Sequence, residues 1–566
     1  MALHPDDEQQ PQTNVRDFFT KTAITGAAAA PAGGTGDAPP APPSPPGGGR
    51  PPIYEPPAPH DPGGKVMIDT GIKHLPSLHA KACAAIVQGN NPPIMFRQGE
   101  RIVRLIRDSS GAPKLQVVTK DVMRHELSDW AHFHRNATRL DLPPMDLVND
   151  LLAARELPLP VLRAVTTAPV FASEGSLSLT PGYNEKSQLY YAPMPGFTAL
   201  DVPATVTIDD VQAANKLICN ELLVDFPMAS KADRDNAVAM MLLQYVREFI
   251  TGPTPMHLIE SSMNGSGKGK LASVMLTPFL GKAISVIPDP KNEEELIKEL
   301  TTALLAAKPV IVLDNFDRVF SAGIAAALTA SIWDKRVLGG QTSADVEVRS
   351  QFVMTGKNVQ MATEIGRRCV RIRLTPTTDR PEERHDFKHE EIEGYALANR
   401  AEIIRAAHVI VRWWLQQGRP KAEHKRKLGS YESWSAVMGG LLECAGYQDF
   451  LANHREFVSS ADVERNGRSE FFATWYDWSQ LEPGREWVSA SDLMPLADPM
   501  EGLPLKGGSD KARLTSLGVY LSQNTDSYVE HEEIIDENNI QRRLFRLVRG
   551  TQKRGKQMWA IKLVQE

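Results

Sequence analysis

The segment Asn264-Gly265-Ser266-Gly267-Lys268-Gly269-Lys270 is a glycine-rich turn between the apolar run Met256 to Ile259 and a helix-like stretch, Leu271 to Leu280. Such a turn, with a lysine where the helix begins, is built to hold phosphates. Small residues let backbone N–H groups converge on one anion, the helix N-terminus adds its positive end, and the ammonium reaches the outer oxygens. The loop is degenerate: Ser262 stands where the first glycine is usual, and Gly269 where a serine or threonine would ligate Mg²⁺.

Downstream residues extend the pattern. Pro309 to Asn315 is a β-branched and apolar run tipped by Asp314, which reads as a buried parallel strand. An acid there, on a strand expected beside the one that enters the loop, is placed to hold Mg²⁺ or its water shell. Ser350 to Asn358 reads as a second short strand ending in a polar amide, followed by Gly366-Arg367-Arg368 and an alternating strand, Cys369 to Leu374.

This order resembles the AAA+ ATPase core of superfamily three DNA helicases, and more closely the replication helicases and primase-helicases of phages, plasmids and mobile elements. The resemblance rests on Gly265 to Gly269, Leu313-Asp314-Asn315, Thr355-Gly356-Lys357-Asn358, Arg367-Arg368 and Arg380-Pro381-Glu382-Glu383-Arg384. Outside the core it rests on Phe96 to Gly99, Pro181-Gly182-Tyr183, Leu189-Tyr190-Tyr191 and Tyr431 to Ser435, so that it spans roughly residues 75 to 560. It implies an α/β multidomain chain that uses ATP and Mg²⁺ and assembles as a hexamer on single-stranded or forked DNA. No acidic triad of a polymerising primase is evident.

Charge assigns the roles. Lys268 is expected to neutralise β/γ-phosphate charge and Asp314 to position Mg²⁺, with water in place of the hydroxyl that Gly269 lacks. Asn358 is placed to orient the attacking water or sense the γ-phosphate. Arg367 or Arg368 is the candidate arginine finger, acting on a neighbouring subunit; an ion pair with Glu364 or Asp379 is the other reading. Asn315 stands where many such ATPases carry a glutamate, which leaves Asp317 or Glu260 as candidate general bases. The region Lys335 to Arg349 matches the family's DNA hairpin, with Lys335 and Arg336 as backbone contacts and Gly339-Gly340 as its turn.

Composition fits a multidomain chain. The 566 residues are 42% hydrophobic, with no run approaching the roughly 20 apolar residues of a membrane span. The first residues lack a basic n-region and an apolar h-region, and the four cysteines form no Cys-x-x-Cys pair, so a cytoplasmic chain without a zinc site is expected. A net charge of −6 decides little about DNA, since a channel presents its cations inside.

The expected organisation begins with a disordered Pro/Gly/Ala-rich tail over 1–65. Within it Gln12 to Phe19 resembles a sliding-clamp peptide, with Val15, Phe18 and Phe19 on one face. An α+β domain follows over 66–200, where Arg101, Arg104 and Arg107 alternate along a strand, facing either nucleic acid or solvent. A helical element spans 201–250, with Ser230 as N-cap and Asp233 completing a capping box. The AAA+ core covers 251–385, a helical lid 386–465, and a winged-helix-like DNA-binding domain 466–566, whose basic wing carries Arg549, Lys553, Arg554 and Lys556.

Two alternatives to a ring-forming helicase stand beside it. One is an ATP-binding initiator or scaffold with little hydrolysis; the other is a defence or regulatory AAA+ ATPase.

Overall fold

The computed structural model describes residues 64–565, apart from 136–138, 337–342, 423–426, 462, 482–483, 501, 504, 506 and 537–538. The Gln12 to Phe19 segment and the Gly339-Gly340 turn lie outside the described residues.

A five-stranded parallel sheet occupies the middle of the chain. Its spatial order is Val286–Pro288, Val310–Val319, Gln351–Met361, Met256–Ser261 and Cys369–Leu374. The acid-tipped strand is therefore not beside the strand that enters the loop. The amide-bearing strand, Gln351–Met361, comes later in the chain and inserts between them, and neither strand ends at its polar residue as expected: after a break in register both run on, pairing Arg318 with Gln360 and Val319 with Met361. The sheet's middle is apolar on both faces because helices cover both, whereas edge strand Cys369–Leu374 carries Arg371 and Arg373 and edge strand Val286–Pro288 exposes Val286. Ile259, Val310, Val312, Val353 and Val370 pack into one core with helices Lys231–Val246, Lys268–Leu280, Arg400–Gln416 and Glu432–Ala445. Leu258, Ile311, Leu313, Phe352 and Met354 pack into the other, against Glu293–Leu305 and Ala322–Thr329.

Ser230 caps its helix by accepting from the Asp233 N–H, but the Asp233 carboxylate does not complete a local box. It is buried: one oxygen accepts from Ser230 Oγ at 2.5 Å, and the other from the Arg373 backbone N–H at 2.8 Å and from Asn453 Nδ2 at 2.7 Å. Asn236 extends this seam to the Arg371 carbonyl, Asn453 and the Leu451 N–H. A local sequence signal here serves a tertiary purpose: every buried polar group needs a partner, and these found theirs across the fold.

Residues 66–200 build three small three-stranded sheets around helices Leu75–Gly89, Lys120–Trp130 and Met145–Ala153. The alternating arginines of strand Arg101–Arg107 face neither solvent alone nor an open groove. Arg101 donates to Gln98 and the Leu305 carbonyl, Arg104 to Gln116 and Glu126, and Arg107 to the carbonyls of Gly111 and Pro193.

The C-terminal region runs helix Val463–Gln480, strand Val488–Ser489, helices Ala490–Ala497 and Asp510–Gln523, then strands Tyr528–Asp536, Asn539–Lys553 and Lys556–Gln565. The first short strand pairs with the last. Tyr528–Asp536 was not legible as a strand because its acids break the apolar alternation; Glu532 pairs with Arg542 across the ladder at 3.0 Å.

Among the described residues two histidines are fully buried. His408 uses one ring nitrogen on the Pro169 carbonyl at 2.9 Å, and neither ring nitrogen of His257 has a hydrogen-bond partner. Burial pushes His257 down to about 3 and His408 to about 4, from 6.5. Folded pKa values below the unfolded value mean full stability above pH 6.5 and loss as the pH falls. Lowering the pH from 7 to 5.5 should cost about 2.5 kcal/mol from the pair. Urea denaturation at both pH values checks this, and His257→Leu should remove about half of the difference.

Candidate nucleotide site

The loop leaves the sheet at Ser261 and turns through two left-handed glycines, Gly265 (φ 68°) and Gly267 (φ 86°), the second of which starts helix Lys268–Leu280. Any other residue type would be strained there. Ser266 Oγ donates to the Met263 carbonyl at 3.0 Å, closing the turn. Lys268 Nζ donates to the same carbonyl at 3.1 Å, so the ammonium lies folded into the loop. Burial lowers its pKa, and Lys357 lowers it further, against the opposing pull of Asp314 and Asp317. A half-dehydrated ammonium facing acids across the sheet is primed for an anion carrying its own metal. Gly269 has open space where a side chain would project.

Midway along strand Val310–Val319, Thr355 Oγ1 donates to Asp314 Oδ1 at 2.6 Å and accepts from the Asn315 N–H at 2.9 Å. One carboxylate oxygen is thus fixed by Thr355, a positioning role that the sequence pattern left unassigned. Asn315 (φ 61°) and Asn358 (φ 43°) both adopt left-handed backbone, which asparagine tolerates better than most residues. At Asn315 the ladder is interrupted: the register shifts between Leu313 and Phe316. The amide at this position therefore has a conformational reason, whatever its chemistry. Gly356 lies so close to the passing strand that a Cβ would stand 2.1 Å from the Phe316 carbonyl oxygen.

The two candidate bases differ. Glu260 is buried in the sheet, its pKa raised by burial against the pull of Arg373, whose guanidinium lies 3.9 Å away. Asp317 is exposed and close enough to act electrostatically on both Lys268 and Asp289. The arginine pair also divides. Arg368 is buried, donating to the Ala325 carbonyl and to Glu364 at 2.8 Å, whereas Arg367 is exposed. Both lie at the opposite end of the sheet from the loop. Cys369 pairs with Met256, five residues and about 17 Å before Ser261.

A strap over 380–389 lines the outer side of the loop. Arg384 holds Asp225, and Lys388 and His389 hold Glu221 at 2.8 and 3.0 Å. This brings Glu382 against Gly265 and Phe226 against Gly267.

The DNA candidates fall on two hairpins. Lys335 and Arg336 end the strand Ile332–Arg336, which pairs with Ser343–Glu347. Arg554 (φ 52°) and Gly555 (φ 76°) form the two-residue turn between Asn539–Lys553 and Lys556–Gln565. Lys553 and Arg554 are exposed at this tip; Lys556 donates to Ser491 Oγ at 2.9 Å, and Arg549 contacts Gln557 and the Trp559 ring. Other arginines of the basic tail are ion-paired, Arg543 to Asp477 and Arg546 to Asp526.

No family model matches the chain, and no curated protein matches it. Among solved structures, an A-form apo structure of the NrS-1 C-terminal region is 11% identical, covering 81% of this chain and 96% of that one at a TM-score of 0.34. SCCmec type IV Cch, described as an active helicase, is 10% identical, covering 82% and 91% at a TM-score of 0.36. Likenesses at this level assign no role to any residue here.

Thr355→Val keeps the shape but strands the Asn315 N–H and frees the Asp314 oxygen, and should cost about 2 kcal/mol in denaturant unfolding. Thr355→Ser should stay near wild type.

Proposed function

We propose that this chain is an ATP-hydrolysing, ring-forming DNA helicase of a mobile element, built on an AAA+ core with a C-terminal winged helix. The observation that carries the reading is the placing of Lys268, just past the C-terminal end of strand Met256–Ser261, beside the Asp314–Thr355 pair of the next two parallel strands, with Asp314 near enough to act electrostatically on the Lys268 ammonium. That is where open α/β sheets bind ligands.

The loop N–H groups and Lys268 would hold the β- and γ-phosphates of ATP. Asp314 has one oxygen held by Thr355 and a second for a cation, and the space at Gly269 admits water, so the residues fit Mg²⁺. The ion would offset negative charge on the transferring phosphoryl group. Asn358 orients the attacking water, and Asp317 is the better placed carboxylate to accept its proton. Arg367 takes the finger role, because Arg368 is committed within its own chain whereas Arg367 is exposed, at the end of the sheet away from the loop. A guanidinium at the far end of the sheet from its own loop would reach phosphates in the site of a neighbouring copy, as the ring reading requires. The Lys335–Arg336 hairpin and the Lys553–Arg554 tip would follow phosphates without reading bases, so DNA binding should weaken steeply with salt.

A second reading, an ATP-binding scaffold with little turnover, is favoured by Gly269 and Asn315, which remove a metal-ligating hydroxyl and a carboxylate. ATP hydrolysis by the purified chain, with and without single-stranded DNA, separates the two. Strong stimulation by DNA that Lys268→Ala reduces by about 10²-fold or more supports the motor. Tight ATP binding with negligible turnover would sink it and favour the scaffold.

A further inference from the structure

The hairpin Ile332–Arg336/Ser343–Glu347 is joined to the amide-tipped strand by residues 348–350 alone. Its foot enters a closed charge network shared by three parts of the chain. Arg163, from the 66–200 region, grips Glu347 with two bonds, Nη2 to Oε1 at 2.7 Å and Nε to Oε2 at 3.1 Å. Its Nη1 also donates to Glu248 Oε2 at 3.2 Å. Arg349 repeats the pattern from the other side, donating to Glu347 Oε1 at 3.0 Å and to the second oxygen of Glu248. Glu248 sits in the turn Arg247–Phe249 that ends helix Lys231–Val246, and is nearly buried.

The two guanidiniums and two carboxylates form a ring of four, each contacting both opposite charges. Burial alone would raise the Glu347 carboxyl, but Arg163 and Arg349 draw it down to about 2, so it stays charged at any physiological pH. The backbone that presents Arg163 is itself pinned: its N–H donates to the Gln188 carbonyl, and the neighbouring Leu162 N–H to that of Arg97. Beside the ring lies a cavity of about 410 Å³, lined on its apolar side by Val161, Val165, Leu189, Leu304 and Val346. Arg163 and Glu347 stay partly exposed, while Glu248 and Arg349 are nearly buried; the charge-assisted bonds gain from that burial on one side, and the two-pronged grip is directional as a single ammonium would not be.

We propose that Arg163 is a positioning residue for the hairpin: through Glu347 and Glu248 it fixes the hairpin's angle to the sheet, and so sets how Lys335 and Arg336 meet a DNA strand. This rests on the reading of that hairpin as a DNA contact. The ring joins the 66–200 region to the only part of the hairpin that continues directly into the strand carrying Thr355 and Asn358.

The test uses the full chain and two readouts. Hydrogen exchange over 332–336 and 343–347 should rise about tenfold in Arg163→Ala, with the 528–565 strands unchanged. The single-stranded DNA concentration giving half-maximal ATPase stimulation should also rise about tenfold, while hydrolysis without DNA stays within about twofold. Arg163→Lys, which keeps the charge but loses the two-pronged grip, should recover only part of the protection. Unchanged hairpin exchange in Arg163→Ala overturns the clamp. So does a fall in basal and DNA-stimulated rates in equal proportion. Should the wild-type chain hydrolyse no ATP, the helicase reading fails on its own, and hydrogen exchange still decides whether Arg163 holds the hairpin.

Discussion

The acid-tipped and amide-tipped strands approach so closely at Gly356 that no side chain fits between them. This contact sets the geometry of the whole site. With the Phe316 carbonyl seated over a bare Cα, the Thr355 hydroxyl comes within reach of both Asp314 and the Asn315 N–H. A methyl group at 356 would push the strands apart by more than a hydrogen bond tolerates, and the carboxylate would lose its fixed orientation. The loop lysine, the acid and the two left-handed amides are arranged around that contact.

Much of the site was legible because its signals are local. A glycine-rich turn before a helix, and a β-branched run ending in an acid, announce themselves in a few adjacent residues. Strand order was not, since the chain gives no sign that Gln351–Met361 would insert between two earlier strands. Asp233 shows the same limit at one residue: spacing from Ser230 suggested a capping box, and while one carboxylate oxygen accepts from the Ser230 hydroxyl, the other is recruited by Arg373 and Asn453 across the fold. The arginines of Arg101–Arg107 looked like a surface stripe, yet their partners are carbonyls and carboxylates up to two hundred residues away. Asn315 is the converse case. Judged by chemistry it looked like a lost carboxylate; judged by backbone it is a residue suited to a left-handed position at a ladder break.

Charge is distributed with similar economy. The sequence crowds arginines near the C-terminus, but several are matched to acids on neighbouring elements, and the exposed Lys553 and Arg554 gather at one tight turn. Arg368 and Arg367, adjacent in sequence, divide in the same way between an internal tie and an exposed cation.

The short link between the hairpin and the amide-tipped strand has a mechanical meaning. Three residues span at most about 10 Å, too little chain to absorb movement as slack. Strand Ser343–Glu347 and the strand bearing Thr355 are therefore two arms joined at a single tied corner, where Arg163, Glu248 and Arg349 meet. A shift of one arm where phosphate would be sensed would be passed to the other arm instead of being lost in a loop.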